Sequence, residues 1–257
     1  MRLTRGPSAA DPGNVGDPEE LAVSRISSIK LFHYPATRSA RVRWALHETV
    51  GDDFEIERVD LYQGVQYSDG YLAKNPNHNV PMLELSWADG RVFRMVESAA
   101  MVELLIDAFP EKRLSPPANE FSPERADYLQ MLHFGSTWMD MMLWQIRTHE
   151  HILPAADRDP RSIKRYRDKF ANEVEPQLKR RLEAAPFICG ESFSGADIII
   201  GHDVTWARGY QLCADEVFRS YLSRISKRPA FQKAFSDARD FRPELPEDSR
   251  LVNRFTG

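Results

Sequence analysis

The sequence predicts an α/β unit followed by an all-helical unit, and three observations carry that prediction. The stretches "SIKLFHY" and "DFEIERVDL" alternate apolar and polar residues with the period of strands, while "VPMLELSW", "ADG" and "RVFRMV" read as an antiparallel hairpin. Val42, Ala45, Leu46 and Thr49 recur at helical spacing between the first two strands, and "ESAAMVELLIDAFP" does so after the hairpin. Beyond "EKRLSPPANEF", a linker with adjacent prolines and no apolar period, only helical patterns follow as far as Asp240.

Each element has a local reason. Met1 to Ser27 is rich in Gly, Pro, Ala and Asp and has no continuous apolar core, so a mobile tail is expected rather than a secretory signal. The α/β unit is expected over 28–112, with a helix from about Ser39 to Val50 and a poorly patterned stretch, "YQGVQYSDGYLAKNPNHN", before the hairpin. The linker takes 113–122 and the helical unit 123–257. Ser122-Pro123-Glu124 starts a helix with a cap, a proline at the first position and an acid in the first turn. Helices are expected over about Pro123 to His151, Pro160 to Glu183 and Ser194 to Gln211, with shorter ones after them. Ser194 and Asp197 have capping-box spacing, and Phe193 and Ile198 are placed as a hydrophobic staple.

Composition narrows the class of function. Hydrophobic residues make up 42% and charged residues 28%, with a formal net charge of −4 and both signs interspersed, which gives no reason to expect nucleic acid or an anionic membrane as partner. The two cysteines, Cys189 and Cys213, lack metal-ligand spacing and argue against a disulfide framework or a zinc site; a reducing cytoplasm fits. Apolar runs such as "DIIIG" are far too short to cross a bilayer.

Three local signals bear on chemistry. In Tyr34-Pro35-Ala36-Thr37-Arg38-Ser39, two hydroxyls stand where the first strand gives way to a helix, either as ordinary caps or as donors to an anion held at the helix N-terminus. In "NPNHNVPML", Pro81 opens a strand and restricts Val80 to extended geometry; a cis Val80-Pro81 bond would turn the Val80 amide and carbonyl towards a ligand backbone. Glu97-Ser98 starts a helix, where the pair either caps it or holds a zwitterion, Glu97 taking the ammonium and Ser98 the carboxylate.

The order of these signals resembles the glutathione transferase family: a hydroxyl after strand one, "NP…VP" before strand three, "ES" after strand four, then "PFICGESFSGADIIIGHDVTWA" and "RPAF" in the helical part. The resemblance covers about Ser28 to Phe235 and implies a thioredoxin-like N-terminal domain followed by a helical bundle, with glutathione as co-substrate and a homodimer in the cytoplasm. The family's catalytic hydroxyl falls on Thr37, with Ser39 as runner-up and Tyr34 as an outside candidate. Asn79, Val80 and Pro81 would meet the peptide, Glu97 and Ser98 the γ-glutamyl end, and Lys74 is a weaker candidate. His78 replaces the family's usual glycine and is expected to bend the loop differently.

Lowering a thiol from near 8.5 by about two pKa units takes about 2.7 kcal/mol, which one charge-assisted hydrogen bond of about 1.5–3 kcal/mol and a helix-dipole contribution can supply. No cysteine lies near the first helix, so conjugation or glutathione-dependent halide or ether displacement is expected over thiol exchange. A non-catalytic glutathione-binding or scaffolding role is the alternative. "MLHFGSTWMDMMLWQIRTHEH" is dense in Met and aromatic residues; it reads as core or as wall for an aromatic electrophile, with Trp138, Met142, Tyr34 and Tyr210 as candidates. His149-Glu150-His151 is expected to be solvated or dimer-facing, not metal-binding.

Overall fold

The computed structural model describes residues 26–241. A four-stranded sheet of β1 (Ile26–His33), β2 (Glu55–Arg58), β3 (Met82–Trp87) and β4 (Val92–Met95) has the order β2-β1-β3-β4. β1 and β2 are parallel and the other two pairs antiparallel. Helices α1 (Ser39–Thr49), α2 (Asp69–Leu72) and α3 (Ser98–Ala108) complete a thioredoxin-like unit, with α1 against α3. The expected tail lies outside the described residues except for Ile26 and Ser27, which belong to β1. Ile26 pairs with Trp87, and the Ser27 hydroxyl donates to the Ser86 carbonyl at 3.1 Å. A register shift between Ile26 and Ser28 breaks the alternation that would have revealed them. The poorly patterned stretch forms 3₁₀ turns at Leu61–Gln63 and Val65–Tyr67, then the single turn of α2.

The helical part comprises α4 (Pro123–His133), α5 (Asp140–Arg147), α6 (Pro160–Lys169), α7 (Glu175–Ala184), α8 (Gly195–Gly209), α9 (Glu216–Ile225) and α10 (Pro229–Ala234). Ser122 caps α4 as its sequence requires, its hydroxyl accepting the Arg125 N–H at 3.2 Å. The long helices read from the sequence contain π-helical segments at Phe134–Met139, Thr148–Ile152 and Phe170–Val174, which widen a turn and rotate the faces beyond them. Gly135 shows why the first is tolerated: a Cβ there would meet Ile199 Cγ2 at 2.6 Å and Asp203 Oδ2 at 3.0 Å. At the start of α8, the buried Asp197 carboxylate accepts the N–H groups of Ser194 and Ile188, both at 2.9 Å, and the Tyr221 hydroxyl at 3.0 Å.

Two contacts seat α1 against the helical part. At the C-terminal end, Trp44 packs edge-on to Phe231 with centroids 4.9 Å apart, and Arg228 of the "RPAF" motif forms two hydrogen bonds with Glu48 at 2.6 and 2.8 Å. In the first turn, the fully buried Arg41 donates to both oxygens of Asp140 at 2.6 and 2.8 Å, to Asp203 and, at 3.1 Å, to His202 Nδ1. Burial would raise the Asp140 carboxyl, but the charges and hydrogen bonds of Arg41 and Arg38 outweigh it and hold Asp140 low. Asp203 feels Arg38 only at a distance. Burial and the neighbouring Asp140 push its carboxyl well up against the pull of Arg41, and among the described residues its buried Oδ2 has no hydrogen-bond partner.

Asp140→Ala leaves a buried guanidinium short of charge and is expected to cost about 3–5 kcal/mol. Thermal unfolding should show a midpoint lower by about 10 °C or more. Folded Asp203 keeps its proton over a range in which the unfolded carboxyl has lost it, so from about pH 4 upward stability falls as pH rises towards its folded value. Urea unfolding at several pH values should show this decline in the native protein and a flatter profile in Asp203→Asn.

Candidate functional site

Sheet register gathers the three signals at one end of the molecule. Phe32 near the end of β1 pairs with Met82 at the start of β3, and Leu83 pairs with Met95 at the end of β4. The loop after β1, the segment before β3 and the segment after β4 therefore emerge side by side. Backbone strain is concentrated there. Of six non-glycine residues with positive φ among those described, three lie in these loops: Ala36 (φ 52°), His78 (φ 43°) and Glu97 (φ 76°). Each such residue costs about 1–3 kcal/mol, and such strain persists where the surroundings over-determine it, most often at ligand sites. His78 thus takes the left-handed conformation that a glycine would favour.

Neither hydroxyl stands at the capping position of the first helix, although Thr37 Oγ1 accepts the Ser39 N–H at 3.4 Å. Arg38 occupies the capping position, with no side-chain cap bond. Ser39 is fully buried; its Oγ lies 2.7 Å from His33 Nδ1, 3.0 Å from the Tyr34 carbonyl and 2.8 Å from Thr37 Oγ1, and it accepts the Tyr34 N–H at 3.2 Å. Thr37 is partly exposed, and its hydroxyl donates to the Tyr34 carbonyl at 2.8 Å or to Ser39. Tyr34 is buried, its ring edge-on to Tyr62 and Phe241.

The Val80–Pro81 bond is cis. Val80 stands just outside the ladder, and among the described residues its N–H and C=O make no hydrogen bond. The neighbouring turn is fixed by Tyr71, whose hydroxyl donates to the Asn79 carbonyl at 2.6 Å, and by Asn75, which donates to the same oxygen at 2.9 Å. Lys74 lies over the Phe32 ring at 5.0 Å. At the start of α3, Glu97 is exposed with no ion-pair partner among the described residues, and the Ser98 hydroxyl accepts from Arg41 at 3.4 Å. This last bond ties the third loop to α1.

The helical part presents a different wall from the one its sequence suggested. Met142 is wholly buried in the core, and Tyr210 is buried with its hydroxyl accepting the Trp206 indole N–H at 2.6 Å. Trp138 lies beneath the Lys169 ammonium at 4.7 Å. Trp206 and Trp144 are the rings beside the N-terminus of α1, sandwiching the Arg38 guanidinium at 4.9 and 5.4 Å. A helical wheel of 3.6 residues per turn does not hold through Phe134–Met139, so the sequence pattern does not give the direction of Trp138 relative to α1. His151 is not solvated: it is buried and stacked on Tyr210 at 5.3 Å, while Glu150 pairs with Arg167. The side chains around Ser39 that sequence reading missed are His33 and Asp237. His33 Nε2 lies 3.0 Å from Asp237 Oδ2, a partner 204 residues away that no local pattern could indicate.

A thioredoxin-like sheet with its three loops converging beside a helical wall defines a two-part class of protein, an α/β unit followed by an all-helical one. Residues 27–107 match the family model described as the glutathione S-transferase N-terminal domain. The chain is 28% identical over 214 residues to the glutathione S-transferase GstA of Escherichia coli, covering 81% of this chain and 98% of that protein. It is 29% identical over 219 residues to the disulfide-bond oxidoreductase YfcG, also of Escherichia coli, covering 82% of this chain and 95% of that one. A glutathione transferase family member from Pseudomonas fluorescens, solved with two glutathione bound, has the same fold, with a TM-score of 0.69 over 85% of this chain and 93% of that one at 22% identity. The thioredoxin-like unit thus matches the glutathione S-transferase N-terminal domain, and the chain over most of its length is similar to members of that family.

Glycine accepts the Glu97 backbone conformation without strain. Glu97→Gly is expected to stabilise the fold by about 1 kcal/mol, the strain relieved exceeding the added chain entropy, and chemical denaturation measures it.

Proposed function

We propose that the protein binds glutathione along the end of its sheet and activates the thiol for attack on an apolar, aromatic electrophile. The observation that carries this reading is the convergence of an accessible hydroxyl, an unpaired backbone and an unpaired carboxylate at one sheet end. Val80 pairs its free N–H and C=O with the cysteinyl unit as one more rung of sheet. Glu97 takes the γ-glutamyl ammonium, and the hydroxyl and amides at the start of α3 take its carboxylate. Thr37 is the thiolate donor, because it is partly exposed whereas Ser39 is sealed beneath it. The electrophile lies against Arg38 and the Trp144 and Trp206 rings. We assign the working form to a homodimer in the cytoplasm, as is usual for the fold.

Similarity to a disulfide-bond oxidoreductase supports a second reaction at the same site. Exchange was disfavoured for want of a protein cysteine, yet a bound thiolate can itself attack a disulfide. The new S–S bond forms on the attacking glutathione while the departing sulfur leaves as a thiolate, so no protein sulfur takes part. Product analysis with an aromatic halide and with a mixed disulfide separates the two reactions.

Thr37→Ala is expected to raise the pKa of the bound thiol by about one to two units, the equivalent of one charge-assisted hydrogen bond. Ultraviolet titration of the bound thiolate measures it, and an unchanged value in that variant rejects Thr37 as donor. Thr37→Ser should keep the native value.

A further inference from the structure

A chain of short contacts leads away from Thr37 into the protein. Thr37 Oγ1 is 2.8 Å from Ser39 Oγ, Ser39 Oγ is 2.7 Å from His33 Nδ1, and His33 Nε2 is 3.0 Å from Asp237 Oδ2. Ser39 and His33 are both buried, and Asp237 is further fixed by Arg43 at 2.6 Å. We propose that His33 and Asp237 are positioning residues that take up the thiol proton through this pair of hydroxyls. The proposal rests on the reading of Thr37 as the group that meets the sulfur.

Hydrogen-bond polarity gives the chain a direction. A carboxylate only accepts, so Asp237 fixes the imidazole proton on Nε2 and leaves Nδ1 as an acceptor. Ser39 then donates to Nδ1, and its oxygen accepts from Thr37 when the Thr37 hydroxyl turns from the Tyr34 carbonyl, 2.8 Å away, to Ser39 at the same distance. The Thr37 oxygen is left to accept from a bound S–H. Every donor therefore points from the ligand towards His33. On ionisation the S–H bond breaks and its electron pair stays on sulfur. Its proton joins Thr37 Oγ1, the former Thr37 proton passes to Ser39, and the former Ser39 proton passes to Nδ1. The products are one thiolate and one imidazolium, and Thr37 ends with its proton facing the thiolate.

The charges around His33 set its resting state. Burial lowers its pKa, the hydrogen bond and charge of Asp237 oppose that, and Arg43 and Arg58 lower it further. It is therefore neutral and able to accept before ligand binds. A thiolate formed at Thr37 adds the negative charge that offsets the two arginines. The same arrangement separates the roles of the hydroxyls: Ser39 has given its proton to His33 and cannot also stabilise the sulfur.

The test counts protons. Calorimetry of glutathione binding in two buffers of different ionisation enthalpy, with the thiolate followed by its ultraviolet absorbance, reports how many protons leave the protein as the thiolate forms. The native protein is expected to form thiolate while releasing well under one proton per site. In His33→Gln and Asp237→Asn, thiolate formation should release a full proton, and the bound thiol's pKa should rise by about one unit. A full proton released by the native protein overturns the proposal whatever the variants do, and leaves the glutathione reading intact. Absence of binding or of thiolate in the native protein rejects that reading itself, and the relay with it.

Discussion

The buried guanidinium of Arg41 is the constraint on which the rest of the architecture depends. It sits in the first turn of α1, fully enclosed, and reaches Asp140 on α5, Asp203 and His202 on α8, and Ser98 at the start of α3. A charge without water must be matched by fixed partners, and here they come from three separate helices. The position of α1 relative to the helical part is thereby set at the cost of ionic groups that a purely apolar contact would not need. The same residue touches the loop that ends in Glu97, so the proposed γ-glutamyl subsite and the domain contact share one anchor.

Strain and stability are divided between the two ends of that arrangement. The core is apolar and closely packed, from Leu31 and Leu83 in the sheet through Trp44 to Ile198, Ile199 and Ile200 of α8. The sheet end carries residues held at positive φ without being glycine. Such conformations survive only where neighbouring structure leaves no alternative. The bonds from Tyr71 and Asn75 around Asn79 supply that restraint on the His78 loop, and Arg41 contributes to it at Ser98.

Local chemistry made much of the fold legible. Ser122-Pro123-Glu124, the Ser194–Asp197 box and the "ADG" hairpin are short-range devices, and each forms where its residues predict. What could not be read depends on distance or on broken periodicity. The π segments shift the helical faces, so the pattern does not show that Trp144 lies beside Arg38 or that His151 is enclosed within the chain rather than solvated or dimer-facing. Nothing local to Arg41 marks it as buried; its burial follows from two aspartates about a hundred residues or more away. The hydroxyl pair after β1 was visible, but the partners that distinguish its members were not, because Asp237 arrives from the far end of the chain.

That arrival gives the C-terminal motif a role beyond packing. Arg228 clamps Glu48 and lies over the Phe193 ring at 3.9 Å, while Phe231 and Phe235 enclose Trp44. These contacts fix α10 against α1, and Asp237 follows α10 by three residues. The carboxylate meets His33 from a segment held on one side by the seated helix and Arg43 and on the other by Phe241 against Tyr34. The residues that dock the end of the chain and the residue that would orient the thiol's proton are thus consecutive parts of one segment. Loosening the aromatic contact at Trp44 would withdraw charge from behind Ser39 without touching any group that faces the ligand.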